Sequence, residues 1–243
     1  MVKYNLGFIS DENIYNHVKN TAYKYRFNID LEKFNKNLID PIKLTFDAGV
    51  YRKSFEEIIE SEIIRQMDKS NTNHIGYFHQ NIFNYLNHDW IIPKSGFDLI
   101  NKKDKIFVEM KNKHNTMNSS SSQKTYIAMQ HKILEGADIT CMLVEVIAKN
   151  SQNIPWKITI NGNQYNHDNI RRVSIDKFYA LVTGDTCAFK KLCEVLPSVL
   201  DDVISNQKEL TIQNSVFEEL NSISKDGILK SLYSLAFAKY DGF

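Results

Sequence analysis

Apolar residues repeat with a helical period near the start of the chain, alternate near its middle, and return to a helical period toward its end. In residues 1–52, Tyr15, Val18, Ala22, Tyr23 and Phe27 recur at near-helical spacing, which predicts an opening arm of irregular structure with one or two helices. Ser54 suits a helix N-cap, and Glu56 and Glu57 follow in the first turn, where they complement the helix dipole. The stripe Phe55, Ile58, Ile59, Ile63 and Met67 then predicts a helix over 55–67. Arg65, Gln66, Asp68 and Lys69 read as its close and the start of a loop, with Lys69 placed to satisfy the last carbonyls. Phe78, Ile82, Phe83 and Leu86 predict a second helix over 75–86.

The alternating stretch is Lys105-Ile106-Phe107-Val108-Glu109-Met110-Lys111. As a strand it puts Phe107, Glu109 and Lys111 on one face and Ile106, Val108 and Met110 on the other. Asn101 to Asp104 is a polar turn, so the spacing predicts a hairpin that returns Gly96-Phe97-Asp98 beside Glu109. Beyond it, Ser122 suits the cap of a helix over 123–135 closed by Gly136. Cys141 to Ala148 is a nearly continuous apolar run and predicts a buried central strand. Strands are expected over 156–160 and 171–175, then helices over 178–182, over 188–204 with a break or kink at Pro197, and over 216–239. This order predicts an α/β sandwich with a mixed central β-sheet flanked by helices. At 243 residues the chain fits a single domain, with an N-terminal arm (1–52), a core (53–180) and a C-terminal helical part (181–243).

The hairpin carries the candidate chemistry. Asp98, Glu109 and Lys111 would converge as two carboxylates and one amine, the minimal set for metal-assisted cleavage of a phosphodiester. Hard divalent cations such as Mg²⁺ take oxygen ligands and need only one or two carboxylates plus phosphate and water. A neighbouring ammonium orients the attacking water or stabilises the developing charge. The same spacing also fits a solvated surface hairpin whose charges do nothing. His74 and His79 lack metal-ligand spacing, and Trp90 and the stripe Phe178, Leu181, Val182 read as core.

Charge and cysteines narrow the classes. Thirty basic against twenty-nine acidic residues leave a net charge of +1, unlike a strongly basic nucleic-acid-binding domain. Local basicity is concentrated from Lys102 to His114 and at Lys124, His131 and Lys132. Cys141, Cys187 and Cys193 form no CxxC pair, which argues against structural zinc and for free thiols in a reducing cytoplasm. No run approaches the roughly 18 apolar residues of a membrane span, so a cytoplasmic protein with no membrane association is expected.

Several blocks together resemble a known family. They are Glu62 to Ser70, Asn73 to Gln80, Gly96-Phe97-Asp98 and Glu109-Met110-Lys111-Asn112-Lys113-His114-Asn115-Thr116-Met117-Asn118, with an echo at Arg172 to Tyr179. The chain resembles type II restriction endonucleases of the PD-(D/E)xK superfamily, and within it the group that cuts the interrupted palindrome GGNCC. The resemblance implies that Asp98 and Glu109 hold Mg²⁺ and that Lys111 is the catalytic lysine. Phe97 stands where the superfamily name has proline, at a position that varies within it. An upstream helix often adds a carboxylate or amide, for which Glu62 and Gln80 are both candidates. The implied partner is double-stranded DNA, cut by a homodimer in a restriction-modification system whose methyltransferase acts on the same site. Lys113, His114, Asn115 and Asn118 leave the active-site strand directly and carry base-reading or phosphate-binding groups. Arg65 and Lys69 are further candidates for phosphate or dimer contacts. Two other classes share the trio or its scaffold: a repair or recombination nuclease that reads DNA structure, and a binding protein with a degenerate nuclease fold.

Overall fold

The structure, a computed structural model, describes residues 3–86, 89–114, 116–136, 138–205, 213–223 and 227–240. Its elements begin with α1 (Asp11–Ala22), β1 (Asn28–Ile29), α2 (Leu31–Asn35), α3 (Pro41–Tyr51), α4 (Phe55–Asn81), α5 (Phe83–Leu86), β2 (Trp90–Ile91) and β3 (Leu99–Asn101). Next come β4 (Ile106–Lys113), α6 (Ser119–Leu134), β5 (Thr140–Ile147), β6 (Asn153–Pro155), β7 (Ile158–Ile160), β8 (Asn163–Tyr165) and β9 (Ile170–Ser174). The chain closes with α7 (Ile175–Thr183), α8 (Ala188–Ser205), β10 (Gln213–Asn214), α9 (Val216–Ile223) and α10 (Ile228–Ala236).

These elements divide into two compact units. The first comprises Met1–Tyr23 and Ile75–Asn206, the second Lys24–His74 and Gln207–Phe243. The first is built on a six-stranded mixed sheet ordered β2-β3-β4-β5-β9-β6, in which β4, β5 and β9 run parallel and the outer strands antiparallel. Period-two alternation sends each strand's side chains to two different cores. Val108, Met110, Met142, Val144 and Val173 pack with residues of α1, α7 and α8 on one face. Cys141, Leu143 and Ile170 pack with Tyr126 and Met129 of α6 and with Trp156 on the other. The expected α/β sandwich with a mixed sheet is therefore present, and β5 is its buried central strand.

The second unit has its own core. Phe34, Leu44, Ile58, Ile59, Ile63, Val216, Leu220 and Leu232 come together from α2, α3, α4, α9 and α10. The short strands β1 and β10 pair in parallel beside them. This division differs from the expected arm, core and C-terminal part, because the second unit is assembled from two distant stretches of chain.

Three local expectations are corrected. The helix begun at Ser54 does so through reciprocal bonds, Ser54 N to Glu57 Oε2 at 2.8 Å and Glu57 N to Ser54 Oγ at 3.2 Å, as a capping box requires. It does not stop at Lys69 but runs on to Asn81, so Arg65 and Lys69 are helix-interior residues. The polar run Asp68 to His74 contains neither proline nor glycine, and packing anchors the helix on both sides of it. Ile59, Ile63 and Met67 sit in the second unit's core, and Phe78 and Ile82 in the first unit's. Of the break or kink expected at Pro197, the break is absent, since α8 continues through it. A proline in a helix interior costs about 3 kcal/mol. Burial of Leu192, Val199 and Val203 at about 1.5–3 kcal/mol each offsets that. Finally α6 begins at Ser119 and not after Ser122, because Asn118 caps it by accepting from Ser121 N at 2.8 Å.

Helix continuity through the polar run is directly testable. Ser70→Pro is harmless if that segment is a loop, whereas within α4 it removes a backbone bond and clashes with the preceding turn. Urea denaturation should show a loss of about 3 kcal/mol; a loss under about 0.5 kcal/mol would mean the helix is broken there.

Candidate active site

A side-chain turn sets up the hairpin. Asn101 Oδ1 accepts from Asp104 N at 3.0 Å while Asn101 Nδ2 donates to Asp104 Oδ2 at 2.9 Å, and Lys105 takes a left-handed φ of 54°. The register that follows is Leu99 opposite Val108 and Asn101 opposite Ile106. Asp98 N donates to Val108 O at 2.9 Å, extending the ladder one residue beyond β3. The carboxylate then takes over where backbone pairing ends: Asp98 Oδ2 accepts from Met110 N at 2.7 Å. Its other oxygen accepts no hydrogen bond among the described residues.

Glu109 and Lys111 leave β4 on the face opposite Val108 and Met110, as alternation predicts. Lys111 Nζ donates to Glu109 Oε1 at 2.6 Å, with both side chains partly shielded from solvent. Burial raises the proton affinity of Glu109 above the usual carboxylate range. The Asp98 charge adds to that rise, and Lys111 opposes it. A half-buried carboxylate with a second one beside it is a fitting donor set for a divalent cation, which would relieve the desolvation of Glu109.

The same sheet face holds two charged residues that sequence reasoning missed as site residues. Glu145 on β5 is in register with Lys111, and its side chain is 1% exposed. It accepts from Arg172 Nε at 3.0 Å and pairs also with Arg172 Nη2. His114 Nδ1 lies 3.1 Å from Glu145 Oε2, and Arg172 Nη2 donates to the His114 carbonyl at 3.3 Å. A signal existed: a single glutamate inside the apolar run from Cys141 to Ala148 is a buried charge in need of a partner.

The other candidates are distributed differently. Gln80 is half-buried on α4 in the first unit, which also carries the trio. Glu62 belongs to the second unit. Burial pushes its carboxyl up, but Arg65, bonding both oxygens at 2.6 Å, and Gln66 Nε2 at 3.0 Å outweigh that and hold it low. Arg65 is thus paired within its own helix, and Lys69 is exposed on it. Lys113 is exposed at the end of β4, whereas His114 is tied into the Glu145 network. Asn115 lies outside the described residues. Asn118 uses its side-chain oxygen as the cap of α6.

A mixed sheet with two carboxylates and a lysine on one hairpin is the arrangement of a restriction-endonuclease-like nuclease. The chain belongs to the Eco47II restriction endonuclease family, whose model matches residues 6–205. It is similar to the type II restriction enzyme Sau96I of Staphylococcus aureus, with 31% identity over 215 residues, covering 84% of this chain and 82% of that enzyme. It is also similar to the type II restriction enzyme Eco47II of Escherichia coli, with 30% identity over 215 residues, covering 83% of this chain and 89% of the relative. The resemblance to type II restriction endonucleases read from the sequence is borne out, and the chain is a type II site-specific deoxyribonuclease acting on double-stranded DNA. Among the described residues no helix is long and apolar enough to cross a membrane.

Proposed function

We propose that the protein is a Mg²⁺-dependent, homodimeric endonuclease that makes a double-strand break within a short GC-rich palindrome of the GGNCC type, and that Asp98, Glu109 and Lys111 carry the chemistry. The observation that supports this most is the convergence of the three side chains on one hairpin: Asp98 fixed by Met110 N at 2.7 Å, and Glu109 bonded to Lys111 at 2.6 Å with its proton affinity raised. Asp98 and Glu109 would hold the cation, with Gln80 the upstream candidate in the same unit. When bound, Mg²⁺ polarises the phosphoryl oxygens and lowers the pKa of water.

The chain's own groups have separate tasks. The free oxygen of Asp98 and the carboxylate of Glu109 would supply the negative charge that holds the cation. Lys111, which donates to Glu109, would orient the attacking water and stabilise negative charge on the phosphate. Lys113, exposed at the end of β4, would contact DNA. A cytoplasmic setting with a cognate methyltransferase protecting the host sites follows from the same reading.

Replacing Asp98 or Glu109 by Ala should abolish plasmid cleavage while leaving the fold and most DNA affinity, and Lys111→Ala should slow single-turnover cleavage by at least about 10²–10⁴-fold. Plasmid digestion with millimolar Mg²⁺ and sequencing of the fragment ends reads both activity and site. Cleavage near wild-type rates by either carboxylate variant would reject the ligands. Ends with no common palindrome would favour a structure-specific repair or recombination nuclease.

Two-fold symmetry in the target calls for two-fold symmetry in the protein. A surface suited to self-pairing is the outer face of α3, where Ile42, Phe46 and Val50 recur at helical spacing and are 50%, 67% and 70% exposed. Its opposite face, with Leu44 and Ala48, is in the second unit's core. Light scattering should give a dimer for the wild-type protein and a monomer for Phe46→Glu/Val50→Glu; a dimer in both would move the interface elsewhere, and a wild-type monomer that nicks one strand would remove the dimer.

A further inference from the structure

The sheet face that carries Glu109 continues across β5 to β9. Glu109 is in register with Leu143, and Leu143 with Arg172, so Arg172 stands two strands along the same row, about 10 Å away at the usual strand spacing. Its guanidinium is half committed. Nε and Nη2 serve the buried Glu145 and the His114 carbonyl, while Nη1 donates no hydrogen bond among the described residues. Glu145 therefore fixes the plane of the guanidinium and leaves one edge of it as a rigid donor.

Arg172 also lines a cavity of about 330 Å³ between the start of α6 and the segment Trp156 to Thr159. Its polar lining residues are Ser119, Ser122, Gln123, Thr159, Lys157 and Arg172, with no carboxylate among them. Lys157 is exposed and makes no ion pair among the described residues, so it supplies the uncompensated charge. Trp156 is 4% exposed and packs edge-on against Tyr126 at 5.3 Å between ring centroids, so it walls the cavity without offering a stacking face for a base. Two cationic residues, Lys157 and Arg172, with hydroxyl-bearing and amide neighbours and no carboxylate among the lining residues suit an oxyanion.

We propose that this cavity takes a non-scissile backbone phosphate of bound DNA, with Lys157 and Arg172 Nη1 as its principal donors, and so sets how the cut strand lies across Glu109 and Lys111. The proposal rests on the endonuclease reading above. Lys157 is the residue to vary, since removing Arg172 would strand the Glu145 charge and disturb the fold.

Binding of a short labelled duplex, measured by anisotropy across a salt series with Ca²⁺ in place of Mg²⁺, should weaken several-fold in Lys157→Gln for every sequence tried. The slope of log affinity against log salt should fall by about one. Lys157→Arg should restore most of it. A scan of duplexes carrying one neutral methylphosphonate each should find a position that weakens wild-type binding and has no effect in Lys157→Gln. An unchanged salt slope with identical methylphosphonate profiles would overturn the proposal. So would stabilisation of the wild-type protein, but not of Lys157→Gln, by inorganic phosphate alone with no change toward DNA, which would assign a free anion instead. If the wild-type protein cuts no DNA with Mg²⁺ yet the Lys157 effects on binding persist, the phosphate site stands and the endonuclease reading falls.

Discussion

The register of β4 is the constraint on which the site depends. The strand lies between β3 and β5, and its two faces meet different layers: Val108 and Met110 enter the core made with α1, α7 and α8, while Glu109 and Lys111 leave on the α6 side. Because side chains alternate with a period of two, a slip by one residue would drive two charges into an apolar core and expose two apolar side chains. Desolvating each charge costs several kcal/mol, so the slipped register is strongly disfavoured. The bond from Met110 N to Asp98 Oδ2 adds a side-chain check on the same register, and ties the first carboxylate to the strand that carries the second.

From that register the rest of the polar face follows. Parallel pairing sets Lys111 beside Glu145, and Leu143 between Glu109 and Arg172. Apolar Cys141 and Ile170 occupy the start of this face under α6, and the charges gather toward the carboxyl ends of β4, β5 and β9, where open α/β sheets place their ligands. Two opposite-charge pairs result, Lys111 with Glu109 and Arg172 with the fully buried Glu145. In the second, the buried Glu145 holds the Arg172 guanidinium in place.

Much of this was legible in the sequence because it is local. The alternation from Lys105 to Lys111 and the polar turn before it define the hairpin without reference to anything distant, and the apolar run after Thr140 defines the central strand. What could not be read locally was decided by tertiary packing. Two cores separated along the chain hold α4 through a polar stretch that looks like a loop, and the apolar face of α8 carries it past Pro197. The partner of Glu145 lies 27 residues away on another strand, so only the anomaly of a charge in an apolar run was visible. The second unit escaped notice because its two halves lie at opposite ends of the sequence. Asn118 has a local task as a helix cap, which its position before four serines indicates.

The central claim is that a divalent cation is held by Asp98 and Glu109 on the β3–β4 hairpin. Titrating isotopically labelled protein with Mn²⁺ as a paramagnetic stand-in for Mg²⁺ tests it at the residue level. The amide signals of Asp98, Glu109 and Met110 should broaden first and recover when excess Mg²⁺ is added. If those signals persist while others disappear, or if Mg²⁺ does not compete, the cation is not held by this pair and the account of the site is wrong.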